Sequence, residues 1–268
     1  MSNTPGKGGL IAAGLGWGLA LGVVLGALVL APAIPRDSAA ASGAAGAANA
    51  QAAEAELRAD AANELLAQES ATIVRGKLTD VPVTIIRTEA ASDDDVESVR
   101  WLLNAAGASD SGTLTLTERF TDQNSADELS TIVANTLPAG AQLSVDNRAP
   151  GTHAGELLGA VLVENPTEAA AQASDRQLVL ETLQQAGFIQ YSGSVVPARA
   201  VVIVHGQPET AGGAFGESML GDFAKALAGS GTTVFATQAN EPTQLDGVPV
   251  VGVVDTEAGR IAAVLAAA

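Results

Sequence analysis

A glycine-rich stretch at residues 205–216, HGQPETAGGAFG, is the first candidate for a ligand-binding loop in this sequence. It follows an apolar run and precedes a helical pattern, which is where a phosphate-binding loop lies in an α/β protein. The stretch lacks both the GxGxxG order and the GK[ST] ending, and Glu209 would repel phosphate. These departures favour an ordinary connection over a nucleotide or anion site.

The segment GESML at residues 216–220 is the nearest match to a nucleophile elbow, with Ser218 as the nucleophile. Leu220 stands where that motif needs a second glycine for its sharp turn. A catalytic triad also needs a histidine base, and the chain has two, His153 and His205. The pattern therefore argues against a serine hydrolase, and we predict no catalytic residue.

Metal ligands are scarce in the sequence. The acidic run at residues 93–95 and Glu97 could bind a cation through oxygen, but a solvated helix start capped by Ser92 explains the same residues. Copper(I) favours sulfur and imidazole ligands. The chain has no cysteine, and Met219 is its only methionine besides Met1. We therefore expect no metal site or cofactor within one chain, and a site shared across an oligomer stays open.

From residue 79 onward, strand patterns alternate with helical patterns, which predicts an open, mostly parallel, Rossmann-like α/β body. The continuous apolar run at 200–204 is typical of a strand covered by helices on both faces. The predicted strands are 81–87, 113–117, 200–204, 232–236 and 248–254, with a short one at 141–145. The predicted helices are 92–106, 125–136, 155–164, 175–186, 217–228 and 257–267.

Two alanine-rich segments precede this body. Residues 36–50 have no apolar period and predict a flexible or partly helical linker. Residues 51–72 are rich in good helix formers and predict a helical stalk with leucines at positions 57, 65 and 66. The pattern covers less than the roughly 3–4 heptads that identify a coiled coil. The stalk is therefore either a helix packed on the body or a short oligomerising segment.

Residues 10–31 carry no charge, and a helix of this length would reach about 33 Å, enough to cross a hydrocarbon core of about 30 Å. Gly14, Gly18, Gly22 and Gly26 recur every four residues and form one stripe, where a second helix can approach closely. We predict a transmembrane anchor that self-associates through these glycines. A cleaved signal peptide is the alternative, because small residues follow the segment, although its apolar run is too long for one.

Charge predicts the topology and limits the partners. Lys7 precedes the apolar segment, whereas Arg36 after it is offset by Asp37, so the positive-inside rule predicts a cytoplasmic N-terminus and an extracytoplasmic body. A net charge of −17 argues against nucleic acid as a partner. The predicted parts are residues 1–35 (cytoplasmic tip and anchor), 36–78 (linker and stalk) and 79–268 (body).

Several short stretches, taken in their order along most of the chain, resemble the mycobacterial copper transport protein B (MctB) family. They are turn and packing patterns, and none is a catalytic signature. The stalk departs from the family pattern because it is shorter and richer in alanine. The stretches are GVVLG at 22–26, FTDQNSA at 120–126, LPAGAQL at 137–143, AGELLG at 154–159, LQQAGF at 183–188 and AGRIA at 258–262.

The resemblance implies a non-enzymatic, membrane-anchored envelope protein of an actinobacterium, linked to copper homeostasis, and the glycine stripe adds self-association. Relatives tied to cell separation imply an alternative: an envelope scaffold or regulator of cell division that binds a partner such as a peptidoglycan hydrolase. A third hypothesis, an enzyme built on the α/β sheet, needs residues that the sequence lacks. No catalytic, cofactor-binding or metal-binding residue is transferred from the family, because none matches.

Overall fold

The computed structural model describes residues 38–164, 171–207 and 213–268, with side chains from residue 49 onward. The chain divides into two units, Met1–Ala62 and Asn63–Ala268. The predicted anchor and its four glycines lie outside the described residues. Among the helices that are described, none is both long enough and apolar enough to cross a membrane.

The described residues form six strands and eight α-helices. The strands are β1 (Pro82–Thr88), β2 (Ser109–Leu116), β3 (Ile189–Tyr191), β4 (Ala200–His205), β5 (Thr232–Thr237) and β6 (Val250–Val251). The helices are α1 (Ser38–Val74), α2 (Asp93–Ala105), α3 (Glu118–Thr121), α4 (Ala126–Thr136), α5 (Pro150–Leu162), α6 (Ala173–Gln185), α7 (Gly213–Ala228) and α8 (Glu257–Ala266).

The six strands form one sheet in the order β3-β2-β1-β4-β5-β6. All neighbouring pairs are parallel except β2 and β3, which are antiparallel. Five parallel strands in this order match the sequence of strands in a doubly wound dinucleotide-binding fold, with the order reversing between β1 and β4. The predicted mixed α/β fold with a mostly parallel sheet is confirmed.

Helices cover both faces of the sheet, so the central strand β4 is buried along its whole length. One hydrophobic core packs α3 to α7 against one face, and Ile86 of β1 belongs to it. A second core packs the end of α1, together with α2 and α8, against the other face, and Ile85 belongs to that one. Alternate side chains of β1 thus point to opposite faces, as the period of a strand requires.

Two predicted strands differ from the structure. Residues 141–145 form a loop, because the Ser144 amide donates to Glu156 and the Asn147 amide donates to the Ser144 hydroxyl, which replaces strand pairing. The strand at 248–254 shortens to β6, since the chain turns at Val253, whose φ is 49°. The sequence patterns also missed the short elements β3 and α3.

Helix α1 includes most of the low-complexity tract at 36–50, so linker and stalk form one helix from Ser38. Near its end, Ser70 and Val74 are buried and Leu66 packs against the second core. Leu57 and Leu65 remain 70% and 66% exposed. At about 100° per residue, Leu65 lies about 140° around the helix from Ser70, on the side away from the buried residues. The end of the stalk packs on the body, as one alternative predicted, and the oligomerising role stays a prediction.

Helices α5 and α7 pack backbone to backbone through glycines spaced four residues apart. A Cβ atom at Gly155 would lie 2.5 Å from the Phe223 carbonyl oxygen and 2.7 Å from the Ala226 Cβ. A Cβ atom at Gly151 would likewise overlap the Met219 carbonyl, and one at Gly159 would overlap the Ser230 side chain just after α7. The glycines on α5 therefore let the backbone of α7 come closer than any side chain at these positions would allow.

We expect Gly155→Ala to lower the free energy of unfolding by about 1–3 kcal/mol, because the added methyl group overpacks the contact between α5 and α7. Thermal and urea unfolding of the full chain, followed by circular dichroism, measures the change. Gly221→Ala in α7 is the matched control, since a Cβ there meets only the flexible end of Leu245. Equal stability of the two variants would contradict the close-packing interpretation.

Candidate functional site

The carboxyl ends of β1 and β4 lie side by side where the strand order reverses, which is the usual ligand position in an open α/β sheet. Three polar side chains meet there. The Thr88 hydroxyl lies 3.0 Å from His205 Nδ1, and His205 Nε2 lies 3.1 Å from Glu217 Oε1. Thr88 and His205 end the two strands and Glu217 lies in α7, so this chain of hydrogen bonds joins three elements.

This order of hydroxyl, imidazole and carboxylate is that of a catalytic triad, but the hydroxyl is not accessible. Thr88 is 3% exposed and His205 is 1% exposed. The cavity beside Thr88 holds about 70 Å³, which is room for about two water molecules. Ser218, the nucleophile of the sequence motif, is exposed within α7 and not on a strand-to-helix turn. The triad geometry therefore holds the strand ends together.

The crevice between the two strand ends is filled by the chain itself. A Cβ atom at Gly206 would overlap the carbonyl of Ala90 and lie 3.0 Å from the Ala91 amide nitrogen. The Thr237 hydroxyl, at the end of β5, donates to the Gly206 carbonyl at 3.4 Å. Of the candidate loop at 205–216, residues 208–212 lie outside the described residues. In the described part, the backbone at 90–91 takes the place where a dinucleotide would enter.

A second polar cluster at the same edge centres on Asp95, whose side chain is 4% exposed. Its Oδ1 accepts from Arg260 Nη2 at 2.8 Å. Its Oδ2 accepts from the Ser92 hydroxyl and from Gln238 Nε2, each at 2.7 Å. Burial raises the pKa of Asp95, but these three hydrogen bonds and the charge of Arg260 outweigh burial and hold the pKa below its usual value of 3.8. The cluster joins α2 and α8 to the end of β5.

The acidic run at 93–95 is a capped helix start, as the sequence predicts, because the Ser92 hydroxyl accepts from the Asp95 amide at 3.1 Å. The expectation that all its carboxylates are solvated is wrong for Asp95. Asp93 pairs with Arg87, whose hydrogen bond and charge lower the pKa of Asp93, and Glu97 pairs with Arg100. Asp93, Asp95 and Glu97 therefore face three separate arginines, so the structure does not gather them around one cation.

The two histidines bind different partners. His153 Nε2 lies 3.0 Å from the Ser144 carbonyl oxygen, whereas both ring nitrogens of His205 are engaged at the sheet edge. Met219 is buried in the first core. Within residues 49–164, 171–207 and 213–268, no three His, Cys, Asp or Glu side chains are close enough together to hold a metal ion.

The protein is of the mixed α/β class, and its own backbone at 90–91 fills the edge of the sheet where ligands usually bind in this class. Comparison with known families adds the identity of the family. The family described as "Copper transport outer membrane protein, MctB" matches residues 10–268. The chain therefore belongs to the MctB family, and the resemblance inferred from its sequence is confirmed.

Three mycobacterial relatives support this membership. The copper transporters MctB of Mycobacterium tuberculosis (strain ATCC 25618 / H37Rv) and Mycobacterium bovis are each 36% identical to this chain over 226 residues, covering 77% of this chain and 72% of the relative. Copper transporter MctB of Mycobacterium leprae is 36% identical over 214 residues, covering 75% of this chain and 64% of that relative.

We expect Asp95→Asn to lower the free energy of unfolding at pH 7 by about 1–3 kcal/mol, because Arg260 loses its ion pair at 2.8 Å and keeps only the longer one with Glu257 at 3.7 Å. The folded pKa of Asp95 is depressed, so its stabilisation is present above pH 3.8 and is lost as the pH falls through the folded pKa. The difference between the two proteins should therefore shrink in acid. Urea unfolding between pH 7 and pH 3 measures it.

The matched control is Asp94→Asn, which makes the same change at the neighbouring, exposed position in the first turn of α2. Asp94→Asn should lower the free energy of unfolding by less than about 1 kcal/mol, because it removes only an interaction with the helix dipole. Equal losses in the two variants, or a difference that does not depend on pH, would disprove the role assigned to the Asp95–Arg260 pair.

Proposed function

We propose that this chain is a non-enzymatic, membrane-anchored envelope protein of copper homeostasis that acts as a self-associated assembly. The observation that carries the proposal is the family match over residues 10–268, which includes the apolar segment as well as the body. The mycobacterial relatives are named copper transporters. Copper is then the cargo of the system and not a resident cofactor of this chain.

The proposed anchor is the uncharged segment at 10–31, with the N-terminus in the cytoplasm and the body outside it. Self-association is supported by the glycines at 14, 18, 22 and 26. The same four-residue spacing is used at Gly151 and Gly155, where α5 packs directly on the backbone of α7. The exposed Leu57 and Leu65 offer a second apolar contact between copies along α1.

A role without catalysis is supported by the closed sheet edge. Thr88 and His205 are almost fully buried, and the cavity beside Thr88 is too small for a substrate. Their hydrogen bonds also account for the polar groups at the strand ends without any reaction. The body then serves as a folded platform that the anchor holds at the membrane.

One observation favours a second candidate function, a scaffold or regulator of cell division that binds an envelope partner such as a peptidoglycan hydrolase. Over the described residues, the side chains that soft metals prefer are either buried or bound to other groups. A protein that handles copper without a preformed site could instead act on copper through partners. Its acidic surface, part of a net charge of −17, suits a basic partner surface.

The test uses a deletion strain complemented with the wild-type chain, with Gly18→Leu plus Gly22→Leu, or with Gly16→Leu. Gly16 lies about 200° around the helix from Gly18, so it offers the same substitution off the stripe. We expect deletion to change copper tolerance and cell copper content. The wild type and Gly16→Leu should restore both, whereas the double variant should restore neither, because leucine prevents close approach of the helices.

Membrane crosslinking and cell morphology complete this experiment. Crosslinking of the double variant should fall while its body stays folded, and wild-type levels would refute the glycine contact. Unchanged copper content after deletion would remove the copper role. Filamentous or chained cells after deletion, with normal copper content, would establish the division scaffold instead.

A further inference from the structure

The sheet face that carries α2 and α8 is polar at its β2–β3 end. Leu114 and Leu116 of β2 point into the first core, so the alternate residues Thr113 and Thr115 point to the other face. Gln190 of β3 pairs with Thr115 and lies beside it. The rest of this face packs apolar side chains under helices. The β2–β3 end of this face therefore lacks the apolar side chains against which a helix packs.

A groove of about 300 Å³ opens over this polar end, between the sheet and α2. Its volume is at the lower end of the range for small-molecule sites, about 300–1,000 Å³. Two arginines enter it, one from β1 and one from α2, and the remaining side chains are mostly hydroxyl and amide groups. The residues that matter for binding are Arg87, Arg100, Thr113, Thr115 and Gln190.

The two arginines are held in place, whereas their acidic partners are free to move away. The side chains of Arg87 and Arg100 are 18% and 30% exposed, but those of Asp93 and Glu97 are 85% and 69% exposed. Arg100 Nη2 also donates to the Thr113 hydroxyl at 3.0 Å, and Arg87 Nη2 donates to the Ala91 carbonyl. Ion pairs with such exposed partners contribute at most about 1 kcal/mol, so a ligand can displace them.

In each guanidinium group one nitrogen, Nε, has no acceptor within the described part of the chain. Arg87 Nε and Arg100 Nε are excluded from solvent and have no hydrogen-bond partner among the described residues. Buried donors are normally satisfied, and the planar guanidinium matches oxyanions that accept two hydrogen bonds at once. An oxyanion in the groove would replace Asp93 and Glu97 as the acceptor of Arg87 Nη1 and Arg100 Nη1.

We propose that this groove binds a small ligand carrying a carboxylate or phosphate group, with Arg87 and Arg100 as its anion-binding residues. Asp93 and Glu97 occupy the arginines in the free protein and move aside when the ligand binds. Thr113, Thr115 and Gln190 then receive the polar part of the ligand. The site adjoins the closed strand ends, because Arg87 precedes Thr88 and donates to the Ala91 carbonyl, and it does not depend on the copper or division role.

Isothermal titration calorimetry of the full chain in detergent, with sodium phosphate and with sodium succinate, tests the site. Saturable binding of either probe is expected, and the probe that binds identifies the oxyanion. Arg100→Gln should weaken it by about tenfold or more, because a charge-assisted hydrogen-bonding pair is lost. Arg58→Gln is the matched control, since Arg58 is an exposed arginine paired with Glu54 on α1, and it should leave affinity unchanged.

Glu97→Gln and Asp93→Asn separate a binding role from a structural one. Each removes a competing carboxylate, so each should tighten binding by up to about fivefold. These exposed positions tolerate the change without unfolding, which thermal unfolding verifies, and so they test the site even if Arg100→Gln does not fold. Absence of binding to both probes, equal affinity in Arg100→Gln, or weaker binding in the acidic variants would overturn the proposal.

Discussion

The backbone of Ala90 and Ala91 lies so close to Gly206 that no side chain fits between them. This contact sits between β1 and β4, where a doubly wound sheet normally opens a crevice for its ligand. The crevice is filled, and the polar residues at the strand ends hydrogen-bond to one another. Thr88, His205 and Glu217 form one chain of hydrogen bonds, and Asp95 gathers Arg260 and two further donors. The sheet has the strand order of a nucleotide-binding protein, but the carboxyl ends of β1 and β4 stabilise the fold and do not form a ligand site.

Close approach of backbones recurs elsewhere in the chain. Only 3% of its residues are aromatic, so large side chains cannot supply much of its packing. Helices α5 and α7 instead meet through Gly151 and Gly155. The glycines proposed to join the membrane anchors have the same spacing. Glycine residues thus let two helices pack closely inside the body, and in our proposal they do the same between the membrane anchors of two copies.

Local patterns predicted much of this fold. The apolar run at 200–204 predicted a buried strand, and Ser92 predicted a helix cap, because both depend on neighbours in sequence. The pairs at the sheet edge could not be predicted the same way. Thr88 and His205 are 117 positions apart, and Asp95 and Arg260 are 165 apart, so only the tertiary fold brings them together. One pattern was available: several of these residues stand at or just after a strand end.

The short elements escaped prediction for a different reason. Strand β3 has only three residues, too few to show a period of two, and its place in the sheet depends on pairing with β2. The polar groove was also hidden, because Arg87 and Arg100 look like ordinary surface charges until β2 and β3 are placed beside them. Sequence patterns thus indicate which residues form elements, and tertiary contacts decide which side chains meet.

Hydrogen exchange at the amide of Ala91 tests the closed strand edge most directly. This amide donates to the Thr88 carbonyl at 3.0 Å and lies against Gly206. If the edge is a fixed part of the core, Ala91 should exchange only through global unfolding, with the same opening free energy as Val202 in the buried strand β4. Exchange of Ala91 through a separate, much lower-energy opening would show that the crevice can open, and would contradict a purely structural edge.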